Sequence, residues 1–157
     1  MIPKPSGCEG CPFVHCAAYF TPDTIVPDSK VMFIAQAPGA DEETGHRLIK
    51  RHYHARGYHT DEFTQVSPGP LLGVTGQLFN NRFLPLSQLK RSEVSLGNAI
   101  RCRPGVSLGL KPDELPKLTS TMKLEMSQAD IVKAMKHCRD RYLRVPDTVE
   151  IVVAMGR

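Results

Sequence analysis

The 157-residue chain contains no tryptophan and only six phenylalanines and four tyrosines, so few side chains could stack on a planar ligand. It also has no apolar run near the roughly 20 residues that cross a bilayer, which argues against a membrane-spanning protein. The segment Met1–Gly7 is polar and contains proline, unlike a secretory signal peptide. A cytoplasmic location is therefore the default expectation.

The remaining composition is ordinary for a globular protein. Hydrophobic residues make up 41% and charged residues 23%, and the length suits a single domain over residues 1–157. The net charge of +4 permits a nucleic-acid partner without requiring one. Five cysteines without a secretory signal argue against a disulfide framework. They indicate metal or cluster binding, or plain buried thiols.

Three apolar segments are separated by helical patterns. Residues 31–35 form a short run typical of a strand buried on both faces, and residues 94–100 and 150–155 are the next predicted strands. A helical period begins at Thr75, and Pro85 should end or kink that helix. A further helix is predicted before the third strand. One face of it would carry Ile131, Met135, Cys138 and Tyr142. This order predicts an α/β fold, a parallel sheet flanked by helices that binds ligands at the carboxyl ends of its strands.

Four of the cysteines are candidates for one metal centre. Cys8 and Cys11 form a C-x2-C pair, Cys102 follows the second strand and Cys138 lies in the last helix. Four thiolates could hold a [4Fe–4S] cluster or a structural zinc ion, and spacing alone does not separate the two. The alternative, ordinary buried thiols, is weakened by the polar residues around the first pair. Cys16 is expected to be a small packed residue, although it could replace one of the four.

Successive motifs along the chain resemble those of the iron–sulfur branch of the uracil-DNA glycosylase superfamily. That branch typically reads C-x-x-C-P, then G-E-A-P-G-x-x-E after a strand, then P-F-V-G-x-x-G, then N-x-x-K-C-R-P. The corresponding segments here are Cys8–Pro12, Lys30–Glu42, Pro70–Asn80 and Gly97–Pro104. A cysteine in the following helix and a strand ending in A-L-G are matched by Cys138 and Ala154-Met155-Gly156. The resemblance implies a [4Fe–4S] cluster, rather than zinc, bound by Cys8, Cys11, Cys102 and Cys138.

The resemblance also implies a reaction, hydrolysis of the N-glycosidic bond of a deoxyuridine that is flipped out of DNA. Asn98 would read the edge of uracil, because a side-chain amide offers both a donor and an acceptor. A turn or capping role is the alternative for Asn98. The substrate-binding loop would be Ala37, Pro38 and Gly39, with its backbone N–H groups beside the glycosidic bond.

Two substitutions within these motifs predict weak turnover. Family members usually have an acidic residue where this chain has Gln36, and glutamine can orient water but is a poor general base. Leu71 occupies the position of the family's phenylalanine and would cover the flipped base without aromatic stacking.

Other departures concern whole segments. The chain stops where the third strand would lead into its loop, and no H-P-S-like motif occurs, so we expect a fold that is incomplete at the C-terminus. A further segment or a protein partner would complete it. Residues 46–69 and 105–126 are expected to be inserted loops. The first is either a solvated loop, part of it helical, or a basic flap that contacts DNA through Arg47, Lys50, Arg51 and Arg56. A metal site on its histidines is a less favoured alternative.

Three functions are therefore open. The first is a DNA repair glycosylase that acts on uracil-containing DNA with little sequence preference, in the cytoplasm or with the nucleoid. The second is a non-catalytic iron–sulfur module derived from the same fold that binds DNA or protein. The third is a cluster- or zinc-stabilised structural domain of a larger replication protein.

Overall fold

The computed structural model describes residues 1–14, 19–103 and 128–156, which contain five strands. The strands are β1 (Val31–Ala35), β2 (His46–Tyr53), β3 (His59–Gln65), β4 (Val94–Asn98) and β5 (Ile151–Ala154). Strands β4, β1 and β5 form one sheet in that order, and β2 and β3 form a separate two-stranded sheet.

Helices connect the strands of the three-stranded sheet. They are α1 (Ala40–Thr44), α2 (Val74–Leu78), α3 (Leu84–Leu86) and α4 (Gln128–Arg141). One turn of π-helix, Phe79–Phe83, joins α2 to α3, so the helix predicted from Thr75 is irregular around Pro85. Short 3-10 turns lie at Ser6–Cys8 and Arg91–Glu93. No helix in the three described ranges is long and apolar enough to cross a membrane.

The central strand β1 runs parallel to both of its neighbours. Ala35 at its carboxyl end is in register with Asn98 of β4, and Ile34 is in register with Ala154 of β5. The three carboxyl ends therefore meet at one edge of the sheet. The predicted parallel α/β sheet flanked by helices is confirmed, and each predicted strand is present within one or two residues of its expected bounds.

Two apolar clusters hold these elements together. One packs the sheet against the π-helical turn and α3 through Phe33, Leu71, Phe79, Leu84, Val94 and Leu96. Phe33 and Phe79 meet edge to face with ring centroids 5.0 Å apart. Each such buried side chain contributes about 1.5–3 kcal/mol of hydrophobic free energy. The other cluster joins the N-terminal segment to α4 and the end of β4 through Cys11, Phe13, Ile100, Cys102 and Ala134.

The structure differs from the sequence-based expectation at two places. Residues 46–65 are not an irregular or partly helical loop, because β2 and β3 pair as an antiparallel hairpin. The predicted apolar face is present at Ile131 and Cys138 of α4 and at Tyr142, which directly follows it, but Ala134 takes the place predicted for Met135, which is 37% exposed. Cys16 and the predicted insertion 105–126 lie outside the described residues.

Candidate active site and cysteine cluster

A cleft of about 490 Å³ opens at the carboxyl ends of β1 and β5. Five residues predicted to bind substrate or act in catalysis line it together: Gln36, Ala37, Pro38, Gly39 and Leu71. Backbone hydrogen bonds fix this edge, since Ala99 N–H donates to Ala35 O at 2.8 Å and Ile100 N–H donates to Gln36 O at 3.0 Å. The loop after β1 and the loop after β4 are therefore held side by side.

The loop after β1 presents fewer free N–H groups than the sequence suggested. The Gly39 N–H donates to Glu42 Oε2 at 2.7 Å, and Pro38 has no N–H. Gly39 thus shapes the cleft wall while its donor is already used. Glu42 was not among the predicted site residues, although it is the acidic residue that ends the motif beginning at Ala35.

Leu71 is held from both sides in an unusual backbone conformation. Its φ of 58° lies in the left-handed region, which costs a non-glycine residue free energy. Its N–H donates to Glu42 Oε1, and its carbonyl accepts from Arg91 Nη1 at 3.1 Å. The side chain is only 3% exposed and packs in the core against Phe33 and Phe79. Leu71 therefore forms the floor of the cleft and does not offer an exposed surface on which a base could stack.

Asn98 lies at the end of β4, directly across from Ala35. Its side chain is fully buried, and neither its Oδ1 nor its Nδ2 has a hydrogen-bond partner among the described residues. It is not among the residues that line the cleft. A buried amide without partners costs about 1–3 kcal/mol, and this cost is removed when a ligand supplies them.

Two carboxylates face the cleft, and burial raises the pKa of both. For Glu42, hydrogen bonds from Gly39 and Leu71 oppose the effect of burial. For Asp41, burial is again the largest cause, and His46 and Arg51 of the hairpin partly oppose it. Within the described part of the chain, no group donates a hydrogen bond to the Asp41 carboxylate. Asp41 is thus the cleft carboxylate available to a ligand or to water.

The four predicted ligand cysteines are all buried and are not in disulfides. Cys8 and Cys11 are linked by a backbone hydrogen bond of 3.1 Å from Cys11 N–H to Cys8 O. Cys11 and Cys102 belong to the same apolar cluster. Cys138 is close enough to Cys11 and Cys8 for their charges to influence its pKa. The fold therefore brings together thiols from three segments, namely the N-terminal segment, the end of β4 and α4.

The surroundings of these thiols are apolar, with a few polar contacts. Burial raises the pKa of Cys11 and of Cys138. The hydroxyl of Tyr142 lies 3.5 Å from Cys8 Sγ, and Arg101, buried and ion-paired with Asp23, exerts a positive charge on Cys138. Across residues 1–14, 19–103 and 128–156, no three Cys, His, Asp or Glu side chains converge as ligands of a single metal ion.

This arrangement of a parallel sheet, a cleft at its carboxyl edge and a buried asparagine agrees with the comparison with known families. The family model of the Uracil DNA glycosylase superfamily matches residues 22–157. The chain belongs to the uracil DNA glycosylase superfamily. The match includes the cleft and Asn98, and it begins after Cys8 and Cys11. A uracil-DNA glycosylase-like function and DNA as a partner are thus supported at the level of the superfamily.

Proposed function

We propose that this chain hydrolyses the N-glycosidic bond of deoxyuridine flipped from DNA, at a low rate. The observation that carries the proposal is the cleft at the carboxyl ends of β1 and β5. Its lining residue Ala35 pairs with Asn98, whose buried side-chain amide has no hydrogen-bond partner in the part of the chain that the structure describes. Enzymes that act on a base must first take it out of the stack and then read its edge in a pocket. The cleft, with a volume of about 490 Å³, is large enough for one nucleobase and its sugar.

Recognition of uracil is assigned to Asn98. Uracil presents carbonyl oxygens next to an N–H, and a carboxamide can donate to the former and accept from the latter. The Asn98 amide is buried behind the cleft lining, so a base reaches it only when the wall at Ala35 moves, and a matching base would then supply the hydrogen bonds that this amide lacks among the described residues. Thymine carries the same edge, so discrimination against it depends on the space around the ring.

Activation of water is assigned to Gln36 and Asp41 together. Gln36 is exposed at the rim, where its amide can orient a water molecule but cannot take up a proton. Asp41 lines the same cleft with a carboxylate that can accept one. Its raised pKa brings it nearer to neutral pH, as a general base requires. Glu42 is excluded from this role because both of its oxygens hold the backbone.

We further propose that Cys8, Cys11, Cys102 and Cys138 bind a [4Fe–4S] cluster. In a cubane cluster each thiolate binds a different iron atom, so the sulfur atoms lie farther apart than four ligands of one zinc ion. All four thiols are buried, and the Arg101 charge near Cys138 would offset part of the thiolate charge. Held by these four cysteines, a cluster would cross-link the N-terminal segment, the end of β4 and α4.

One observation favours the alternative of a non-catalytic DNA- or protein-binding module. Leu71, at the position where the family stacks phenylalanine on the base, is almost fully buried in the core. Stacking then contributes little to capture of the base, and Gln36 lowers the rate again.

A single-turnover assay on single-stranded uracil DNA tests the proposal. We expect slow release of uracil by the unmodified chain, loss of release in Asn98→Ala and in Asp41→Asn, and a gain of roughly 10²-fold or more in Gln36→Glu. The matched control is Asp140→Asn, which removes a carboxylate from the exposed surface of α4. Inactivity of the unmodified chain and of Gln36→Glu, with DNA binding intact, would favour the non-catalytic module.

A further inference from the structure

The β2–β3 hairpin carries a concentration of aromatic and imidazole rings at its end. The tip of this hairpin, defined here as residues 53–59, is exposed throughout. It closes through hydrogen bonds of 3.0 Å from His54 N–H to Tyr58 O and from Gly57 N–H to His54 O. Gly57 adopts a φ of 78°, a conformation that glycine accepts readily. The tip is therefore a defined turn that places its side chains in solvent.

The rings of the tip are already arranged in pairs. His54 and Tyr58 stack with centroids 4.5 Å apart and planes at 15°. Tyr53 lies beside His59, with centroids 6.3 Å apart. Tyr53 is 80% and Tyr58 55% exposed, which leaves large apolar ring faces in contact with water. Such faces gain free energy when another flat ring covers them.

The charges along the hairpin indicate which kind of ligand would supply a ring that stacks on the tip. Arg51 is held by Asp61 through two hydrogen bonds of 2.7 and 2.6 Å, so its charge is neutralised locally. Arg47, Lys50 and Arg56 have no ion pair within the described residues. The pairing of Arg47 with Thr64 and of Lys50 with Glu62 puts the first two side chains on one face of the ribbon. Arg47 is half-buried and Glu62 lies opposite Lys50, but the exposed cations Lys50 and Arg56 still flank the exposed rings. This combination is complementary to a strand with phosphates and bases.

The hairpin is attached to the segment that forms the cleft. Leu48 N–H donates to Leu72 O at 2.9 Å, and Gln77 Nε2 donates to Ile49 O at 2.8 Å. Leu72 follows the cleft residue Leu71 directly. The base of the hairpin therefore lies beside the segment that lines the cleft, as an arm that holds neighbouring nucleotides requires.

We propose that the tip of the hairpin is a base-stacking arm that selects single-stranded DNA. In a duplex the bases are already stacked on one another, and only the phosphates remain accessible to the hairpin. In a single strand the faces of the bases are available to Tyr53 and to the His54–Tyr58 pair. This inference deepens the proposed function by naming its preferred substrate class, and it rests on DNA being the partner of the cleft.

The test measures binding of DNA without uracil, so that it does not depend on hydrolysis. Fluorescence anisotropy with a labelled oligothymidine and with a labelled duplex of equal length gives two dissociation constants. We expect Tyr53→Ala and Tyr58→Ala each to weaken single-strand binding about tenfold and to change duplex binding less than twofold. Tyr53→Phe and Tyr58→Phe, which keep the rings, should bind as the unmodified protein does. Leu86→Ala, a residue 85% exposed away from the hairpin, is the control for loss of exposed apolar surface.

Each outcome decides the inference. Equal losses for both DNA forms, or no loss for either, overturn the stacking arm. Losses in the phenylalanine variants would assign the effect to the hydroxyl groups and also overturn it. If uracil release fails while the difference between single strand and duplex persists, the proposed hydrolysis is wrong and the stacking arm stands.

Discussion

The backbone N–H of Leu71 donates to the carboxylate of Glu42, and this bond helps to hold Leu71 at a φ of 58°. Glu42 also accepts the Gly39 N–H, so one buried side chain fixes two walls of the cleft. A conformation that costs free energy is thus maintained by a carboxylate that is itself expensive to bury. The same pair makes the protein sensitive to pH.

The first prediction concerns that pH dependence. Burial raises the pKa of Glu42 above its usual 4.5, so the folded protein holds this proton more tightly than the unfolded chain does. The stabilisation that comes from protonated Glu42 is therefore fully present below about pH 4.5. It is lost as the pH rises through the pKa that Glu42 has in the folded protein. We expect Glu42→Gln to show a shallower fall of the free energy of unfolding over this range, measured by urea titration at several pH values. Glu150→Gln, an exposed partner of Lys30, should keep the slope of the unmodified protein, and an equal change in both variants would contradict the assignment.

The second prediction concerns the packing beneath Leu71. A Cβ at Gly76 would collide with the carbonyl of Leu71, whereas a Cβ at Gly39 would meet nothing within 4 Å. Gly76→Ala should lower the free energy of unfolding by about 1–3 kcal/mol, because the Leu71 backbone must move. Gly39→Ala should cost under about 1 kcal/mol, the usual range for an N-cap change. Thermal unfolding of the two variants gives the comparison, and equal midpoints would be evidence against this close approach.

The third prediction concerns the cluster. Protein purified without oxygen should be brown and contain about four iron and four sulfide per chain, as a [4Fe–4S] centre requires. Cys138→Ser should lose most of the iron, because one of the four buried ligands is removed. Cys16→Ser is the matched control and should retain it. If the protein is colourless and contains one zinc ion per chain, the site binds zinc and the cluster assignment is wrong. Loss of iron in Cys16→Ser would show that the ligand set is wrong.

The fourth prediction concerns the cationic face of the hairpin. Binding to DNA should weaken steeply as salt rises, because each phosphate contact releases counterions. Lys50→Ala should reduce the slope of log Kd against log salt by about 1. Lys30→Ala removes the same charge before β1, at the opposite end of the sheet from the cleft, and should leave the slope unchanged. A salt titration of anisotropy provides the measurement, and a flat titration for the unmodified protein would rule out a phosphate-binding surface.

The parallel sheet was predictable because its strands are short, apolar and well separated. Met32 and Phe33 point to opposite faces of the sheet and both are buried. A strand that is covered on both faces is typically a continuous apolar run. The motif around Gln36 lies in the lining of the cleft, whereas Asn98 lies at the same edge of the sheet but outside that lining.

The hairpin was not predictable by the same means. Its strands have one buried side chain, Leu48, so they show no alternation of apolar and polar residues. A register irregularity between Leu48 and Lys50 further breaks the two-residue period. The roles of Glu42 and Arg91 were missed for another reason, because hydrogen bonds between segments far apart in sequence leave no local pattern. The acidic end of the first motif was the one available signal for Glu42.

The hairpin leaves and rejoins the rest of the protein at almost one point. Val66 N–H donates to Gly45 O at 2.8 Å, directly below the first strand pair, His46 and Gln65. The hairpin therefore projects from a single narrow base. Because that base is also bonded to Leu72 and Gln77, a force applied to the hairpin by a bound strand would be transmitted to the segment that lines the cleft.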